Sequence, residues 1–283
     1  MAEPDNDPAG NAPVQACRVQ RYAAGGMQWR DDWLAVEEPL EIRLRWQQDG
    51  SWQEQPLTVT MRTPGHDSEL AAGLLFSEGI VTAPEQLVAI TAGDNANTLL
   101  VELAAGHQLD LKRYQRQFAS TSSCGVCGKM AIESLRLLHA PQLAVDKPCI
   151  PAAMLQQLPQ HLREQQGLFA QTGGVHAAAL FTPAGELLLL REDIGRHNAV
   201  DKLVGACRYG AAANPRECVL LVSGRAGFEL VQKALLSDIA VMAAIGAPSS
   251  LAVAMAQAHG MTLVGFLKQG GFNCYSGEQR IVM

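Results

Sequence analysis

Three short apolar runs separated by helix-length segments constrain this chain more than any other feature. Residues 218–223, 239–244 and 262–267 each read as a buried strand, and 226–236 and 249–258 between them have helical spacing. Strands joined through helices of that length run parallel and bury both faces, so this half predicts a three-layer α/β sheet. A hairpin over 176–182 and 186–190, turning at Pro183-Ala184-Gly185, leads into it, followed by a helix over 197–209.

The N-terminal half has a different grain. Leu40-Glu41-Ile42-Arg43-Leu44-Arg45-Trp46 alternates apolar and polar residues as a half-buried strand does, Asp49-Gly50 is a hairpin turn signal, and 55–62 supplies the return strand. A helix is predicted over 67–77, capped by Asp67 or Ser68 and ended by Gly79. Strands follow at 87–91 and 99–103. The expected fold class is therefore α/β (α+β overall): a small N-terminal α+β domain plus a C-terminal three-layer α/β/α domain. The expected organisation is a flexible tail over 1–16, a first domain over 17–145, a linker over 146–170 carrying a short helix, and a second domain over 171–283.

Composition excludes broad classes. A net charge of -6 over 283 residues, with pI near 5.6, argues against a general nucleic-acid binder. No window is apolar enough to span a bilayer, so no membrane partner is expected. The acidic, Pro-bearing start does not read as a secretory signal. Seven cysteines, odd in number and mostly scattered, then suggest free thiols in a reducing cytoplasm.

One cysteine pair stands apart. Cys124-Gly125-Val126-Cys127-Gly128 follows a Ser/Thr-rich stretch and precedes helical spacing over 129–138. Thiols at a helix start are polarised toward thiolate. Incidental or buried thiols are the bland reading; three chemical readings compete with it. Half a zinc site would need two further ligands at matching spacing, and Cys149 stands alone. A thioredoxin-type dithiol would need a strong strand just before it, where 112–118 is weak. A persulfide carrier would suit a glycine-flanked loop that visits two sites.

The second half also concentrates glycine-bearing turns with cations. Arg191 to His197 ends one strand and opens a helix, and Ser223-Gly224-Arg225-Ala226-Gly227 does so at the next crossover. Lys268-Gln269-Gly270-Gly271 follows the last strand, and Thr172-Gly173-Gly174 precedes His176. Each turn alone could be a tight turn facing solvent. Together, at the C-terminal ends of parallel strands, they predict an anion site suited to a nucleotide-like ligand. Arg196, His197, Arg225 and Lys268 are its candidate contacts. His176 and His197 each also read as hydrogen-bonded structural histidines. Glu192, Asp193 and Asp201 are expected to orient those cations, and Glu69 and Glu78 read as surface or helix charges of the first domain.

These segments resemble the FdhD/NarQ family of sulfur carriers needed by formate dehydrogenases. The resemblance rests on Thr63-Pro64-Gly65-His66-Asp67-Ser68-Glu69-Leu70, Ser77-Glu78-Gly79-Ile80, Ser123-Cys124-Gly125-Val126-Cys127-Gly128, Thr172-Gly173-Gly174-Val175-His176, Arg191-Glu192-Asp193-Ile194-Gly195-Arg196-His197-Asn198, Ser223-Gly224-Arg225 and Leu263-Val264-Gly265-Phe266. It implies a cytidine-deaminase-like second domain. It implies sulfur taken from a cysteine desulfurase and passed to the molybdenum bis(molybdopterin guanine dinucleotide) cofactor, with Cys124 carrying the persulfide and Cys127 assisting. Phe266, Leu267, Lys268, Gln269, Gly270 and Gly271 match the family's cofactor-binding stretch, though Lys268 is its one cation here. GDP becomes the expected surrogate ligand, formate dehydrogenase the client, and a homodimer the expected state. Deaminase chemistry is not implied: His176 is followed by Ala177-Ala178, without the glutamate and zinc cysteines that chemistry requires, so no structural metal is expected. A non-catalytic cofactor chaperone and a dithiol oxidoreductase remain the alternatives.

Overall fold

The computed structural model describes residues 12–107, 142–143, 148–210 and 214–283. The tail before them and the Cys124/Cys127 segment lie outside the described residues.

The first sheet follows from the alternation in its central strand. In β3 (Glu38–Gln48) Leu40, Ile42, Leu44 and Trp46 are buried, while Glu41, Arg43 and Arg45 point the other way. Asp49 and Gly50 both take positive φ, 51° and 76°, the turn that matches strand twist and returns the chain as β4 (Ser51–Arg62). β5 (Leu87–Ala92) and β6 (Thr98–Leu103) complete a sheet ordered β4-β3-β6-β5, in which β3 and β6 run parallel. Ahead of it, β1 (Val14–Ala23) and β2 (Gly26–Ala35) form a separate hairpin. Its first strand begins inside the stretch expected to be tail.

α1 (Asp67–Ser77) is apolar on every side, from Leu70 through Phe76. A helix of that kind must be covered all round. The sheet covers one side and α5 (Arg196–Arg208) the other. The α1–α5 crossing is held close by glycines: a Cβ on Gly73 would lie 1.7 Å from the Asp201 carbonyl oxygen, and one on Gly205 1.9 Å from that of Glu69. The expected cap is corrected. His66, at φ 60°, precedes the helix without a side-chain cap bond, while Asp67 turns inward to accept from Arg62 at 2.8–3.1 Å.

The second sheet has the order β13-β12-β11-β10-β8-β9. β10 (Val219–Val222), β11 (Val241–Ala244) and β12 (Thr262–Lys268) are parallel, joined through α6 (Phe228–Leu236) and α7 (Ser250–His259). β8 (His176–Phe181) runs antiparallel to β10 and β9, and β13 (Gly271–Ser276), an element not read from the sequence, runs antiparallel to β12.

Successive residues of β9 (Leu187–Asp193) face opposite layers. Arg191 and Asp193 reach α1 and α5, whereas Glu192 accepts backbone N–H bonds from Leu168 and Phe169, 2.9 and 3.0 Å, at the start of α4 (Gly167–Thr172). Helices thus cover both faces of this sheet. The stretch expected as a linker holds β7 (Ile150–Pro151), α2 (Ala152–Leu155) and α3 (Leu158–Gln165), with Leu155, Leu158 and Leu162 fully buried. β7 pairs with β14 (Ile281–Val282). One hydrophobic cluster runs through both sheets, from Leu40 to Leu267.

Candidate functional site: a cationic rim on the second sheet

Strand direction decides which loops meet. β10, β11 and β12 end at one rim, β8 begins there, and β9, paired antiparallel with β8, ends there. Five segments therefore converge: Gly173 to His176, Asp193 to His197, Ser223 to Gly227, Ile245 to Ser249, and Phe266 onward. The mixed sheet achieves what the parallel pattern alone would have done. Backbone contacts tighten the rim. Gly246 N–H donates to the Gly224 carbonyl oxygen at 2.9 Å, and Phe266 N–H to that of Gly246 at 3.1 Å. A Cβ on Gly265 would fall 2.7 Å from Pro248, so glycine is needed there for close approach.

Arg196, Arg225 and Lys268 are all exposed on these segments. None has an ion-pair partner among the described residues. The helix starts beside two of them lack side-chain caps: Gly195 precedes α5 and Gly227 precedes α6. Unsatisfied N–H groups and free cations together favour an anion.

The remaining acidic and basic groups are engaged elsewhere, which corrects several expectations. Asp193 pairs with Lys202 at 2.8 Å, accepts from Thr63 N–H at 3.1 Å, and takes bonds from Gly195 N–H and Asn198. It orients the Thr63 turn and the α5 start rather than Arg196. Asp201 binds Lys233 at 3.0 Å and Ser77 at 2.5 Å. Glu69, within α1, and Glu78, at its C-cap, are helix charges as expected, but they do not serve the surface: they bind Arg191 and Lys233 across the layers. Burial opposes charge on Lys233, but Asp201 and Glu78 outweigh it and raise the pKa. Arg191 is thereby removed from the ligand-facing set.

His197 Nε2 lies 3.1 Å from a Glu229 carboxylate oxygen. Burial, then the charges of Arg196 and Lys233 and the neighbouring His176, hold its pKa down to about 3 from the ordinary 6.5, so this contact joins a neutral imidazole to a carboxylate. His176 is lowered too, by burial and Arg196, with Asp193 opposing. Both rings are therefore biased toward the neutral form.

Gly173 takes φ 67° and ends α4; Gly174 lies beside Ala35 at the foot of the first hairpin. Phe266 takes φ 53° and is 49% exposed, whereas Leu267 is 1% exposed and belongs to the core. Gln269 and Gly270 turn the chain into β13, Gly270 at φ 94°. Phe266, Lys268, Gly271, Phe272 and Asn273 line an open hollow of about 440 Å³. That suits a ligand of nucleotide size, with aromatic faces, one cation and one amide. A second hollow, about 370 Å³, lies between Gln156, Gln160, Gln269 and Met283. Phe272 and Asn273 were missed in the sequence because β13 was missed; the turn signal Gln269-Gly270-Gly271 was their one clue. Glu229 carried no signal of its own. Cys124 and Cys127 lie outside the described residues.

The FdhD/NarQ family profile matches residues 35–282. The chain belongs to the FdhD/NarQ family. A protein named sulfur carrier protein FdhD from Mycolicibacterium paratuberculosis is 46% identical over 272 residues, covering 93% of this chain and 97% of that one. One of the same name from Streptomyces avermitilis is 46% identical over 275 residues, covering 94% and 95%. A solved protein from Desulfotalea psychrophila, described as a formate dehydrogenase accessory protein, superposes with a TM-score of 0.74 at 26% identity, covering 96% of this chain and all of that one. The FdhD/NarQ match spans both sheets, and the α/β architecture expected from the sequence is the one observed.

Proposed function

We propose that this FdhD/NarQ protein is a sulfurtransferase: a persulfide carrier that takes sulfur from a cysteine desulfurase and delivers it to the molybdenum bis(molybdopterin guanine dinucleotide) of formate dehydrogenase. The sulfur-carrier names of its relatives support the role, and the dithiol Cys124/Cys127 supplies chemistry for it. The observation that carries the docking half is the rim: Arg196, Arg225 and Lys268 exposed beside two uncapped helix starts and the Phe266/Phe272 hollow.

The chemistry balances without an added metal. Cys124 thiolate attacks the outer sulfur of the donor persulfide; that S–S bond breaks, the donor leaves as thiolate, and Cys124–S–SH forms. Cys127 thiolate then attacks the inner sulfur of Cys124, expelling hydrosulfide toward the molybdenum substrate and leaving a Cys124–Cys127 disulfide. A cellular dithiol reduces that disulfide and resets the pair. Phosphates of the substrate face Arg196, Arg225 and Lys268, and its guanine stacks on Phe266 or Phe272. Holding both reactants on one scaffold can contribute ~7 kcal/mol or more.

A GDP titration tests the docking. Arg225→Ala and Lys268→Ala should each weaken binding by about tenfold, the loss of one charge-assisted contact; unchanged affinity in both removes the rim as the docking surface. Formate dehydrogenase activity supported by a Cys124→Ser variant would instead favour the non-catalytic chaperone.

A further inference from the structure

The middle of the rim is occupied by a polar ring whose hydrogen-bonding capacity is unused. β8 lies between β9 and β10, and its first residue, His176, stands opposite Asp193, the last residue of β9. On the other side, Val222 of β10 stands opposite Ala178, and continuing that register brings Gly224 level with His176. β9 leads into the α5 start and β10 toward the α6 start, so His176 sits between the segments that carry Arg196 and Arg225. Its ring is half-buried and lies against Gly224, where a Cβ would come to 3.4 Å from Nδ1. The neighbouring groups are engaged: Asp193 with Lys202, and His197 with Glu229. The His176 imidazole, read from the sequence also as a hydrogen-bonded structural histidine, takes no hydrogen bond or ion pair among the described residues. A half-buried polar group left so carries a desolvation cost that a ligand contact would recover.

We infer that His176 is a contact residue of the rim: on docking, its imidazole hydrogen-bonds a phosphate oxygen of the ligand and takes up one proton from solvent. This rests on the docking reading above and adds to it a residue and a proton. Before an anion arrives, burial and Arg196 disfavour the charged ring, with Asp193 opposing. Asp193 is already matched by Lys202, and the other titratable or charged groups about the ring are His197 at the α5 start, with Glu229 of α6 behind it, and Arg225 beyond Gly224. The negative charge of a diphosphate offsets Arg196 and favours imidazolium, which donates from both nitrogens. The pKa of the ring in the complex then lies above that in the free protein. Affinity therefore rises as pH falls through the interval between the two, and the gain is lost as pH climbs past the upper one.

Calorimetric titration of the full chain with GDP and with inorganic pyrophosphate tests this. His176→Ala should weaken both ligands by about tenfold, the loss of one hydrogen bond to a charged group. Its urea midpoint should match the wild type, since the ring holds no neighbour in place. His176→Gln keeps a donor but cannot titrate; it reads the same contact should the alanine variant misfold. Titrations in buffers of different ionisation enthalpy should show the wild type taking up more protons than His176→Gln, a comparison that cancels the titration of the phosphate itself. Between about pH 8 and about pH 6, affinity for GDP should rise more in the wild type than in His176→Gln. Equal proton uptake and equal pH dependence in the two proteins would overturn the inference. So would a His176→Ala variant that loses GDP affinity but keeps its affinity for pyrophosphate, because the ring would then serve the nucleoside. If Arg225→Ala and Lys268→Ala weaken GDP while His176→Ala does not, the docking reading stands and this inference alone falls; if none of the three matters, both fall.

Discussion

Lys202 and Asp193 meet at 2.8 Å with side chains 1% and 0% exposed, and through them the turn after β4 of the first sheet is fastened to the rim of the second. Lys202 also donates to the Thr63 carbonyl oxygen, Asp193 accepts from Thr63 N–H, and Ile194 N–H donates to the Thr63 hydroxyl. The α5 start, with Arg196 and His197, is therefore positioned by a residue of the first half.

Lys202→Met should destabilise the protein by about 3–5 kcal/mol, because it strands the buried Asp193 carboxylate. Chemical denaturation measures this directly. The loss should be partly recovered in Lys202→Met/Asp193→Asn, where no buried charge remains unpaired.

Gly205→Ala separates packing from propensity. In an isolated helix the change would favour helix by ~1 kcal/mol. Here the new Cβ would sit 1.9 Å from the Glu69 carbonyl oxygen, so α1 and α5 must part. A net destabilisation of about 1–3 kcal/mol is expected from thermal or urea unfolding, with Gly73→Ala behaving alike.

His197 sets an acid limb on stability. Its folded pKa of about 3 lies below the ordinary 6.5, so between those values the unfolded chain binds more protons. Its contribution is fully present above 6.5 and is lost as pH falls toward 3. Urea midpoints measured at about pH 7.5 and about pH 4.5 should fall more for the wild type than for His197→Gln.

The strands and helices of both halves were legible because each carried a clean period: alternation in Leu40 to Trp46, helical spacing from Asp67, apolar runs at Val219 and Val241. What resisted reading depended on partners distant in sequence. Asp67 looks like a cap until Arg62 is placed against it, and Glu69 and Glu78 look like surface charges until Arg191 and Lys233 arrive across the layers. β1 and β2 were missed because their exposed, mixed residues lack the one-sided burial that marks a strand, and β13 because Phe272 to Tyr275 is short and lies at a sheet edge. The rim's loops were legible as glycine–cation turns; which cations remained exposed was not, since Arg191 is engaged by Glu69, a residue far from it in sequence.

The most direct test of the account is intact-protein mass spectrometry after incubation with a cysteine desulfurase and cysteine. The wild type should gain one sulfur atom, removable by a reducing dithiol, and Cys124→Ala should gain none. Sulfur retained on Cys124→Ala, or never acquired by the wild type, would contradict the assignment of Cys124 as the carrier.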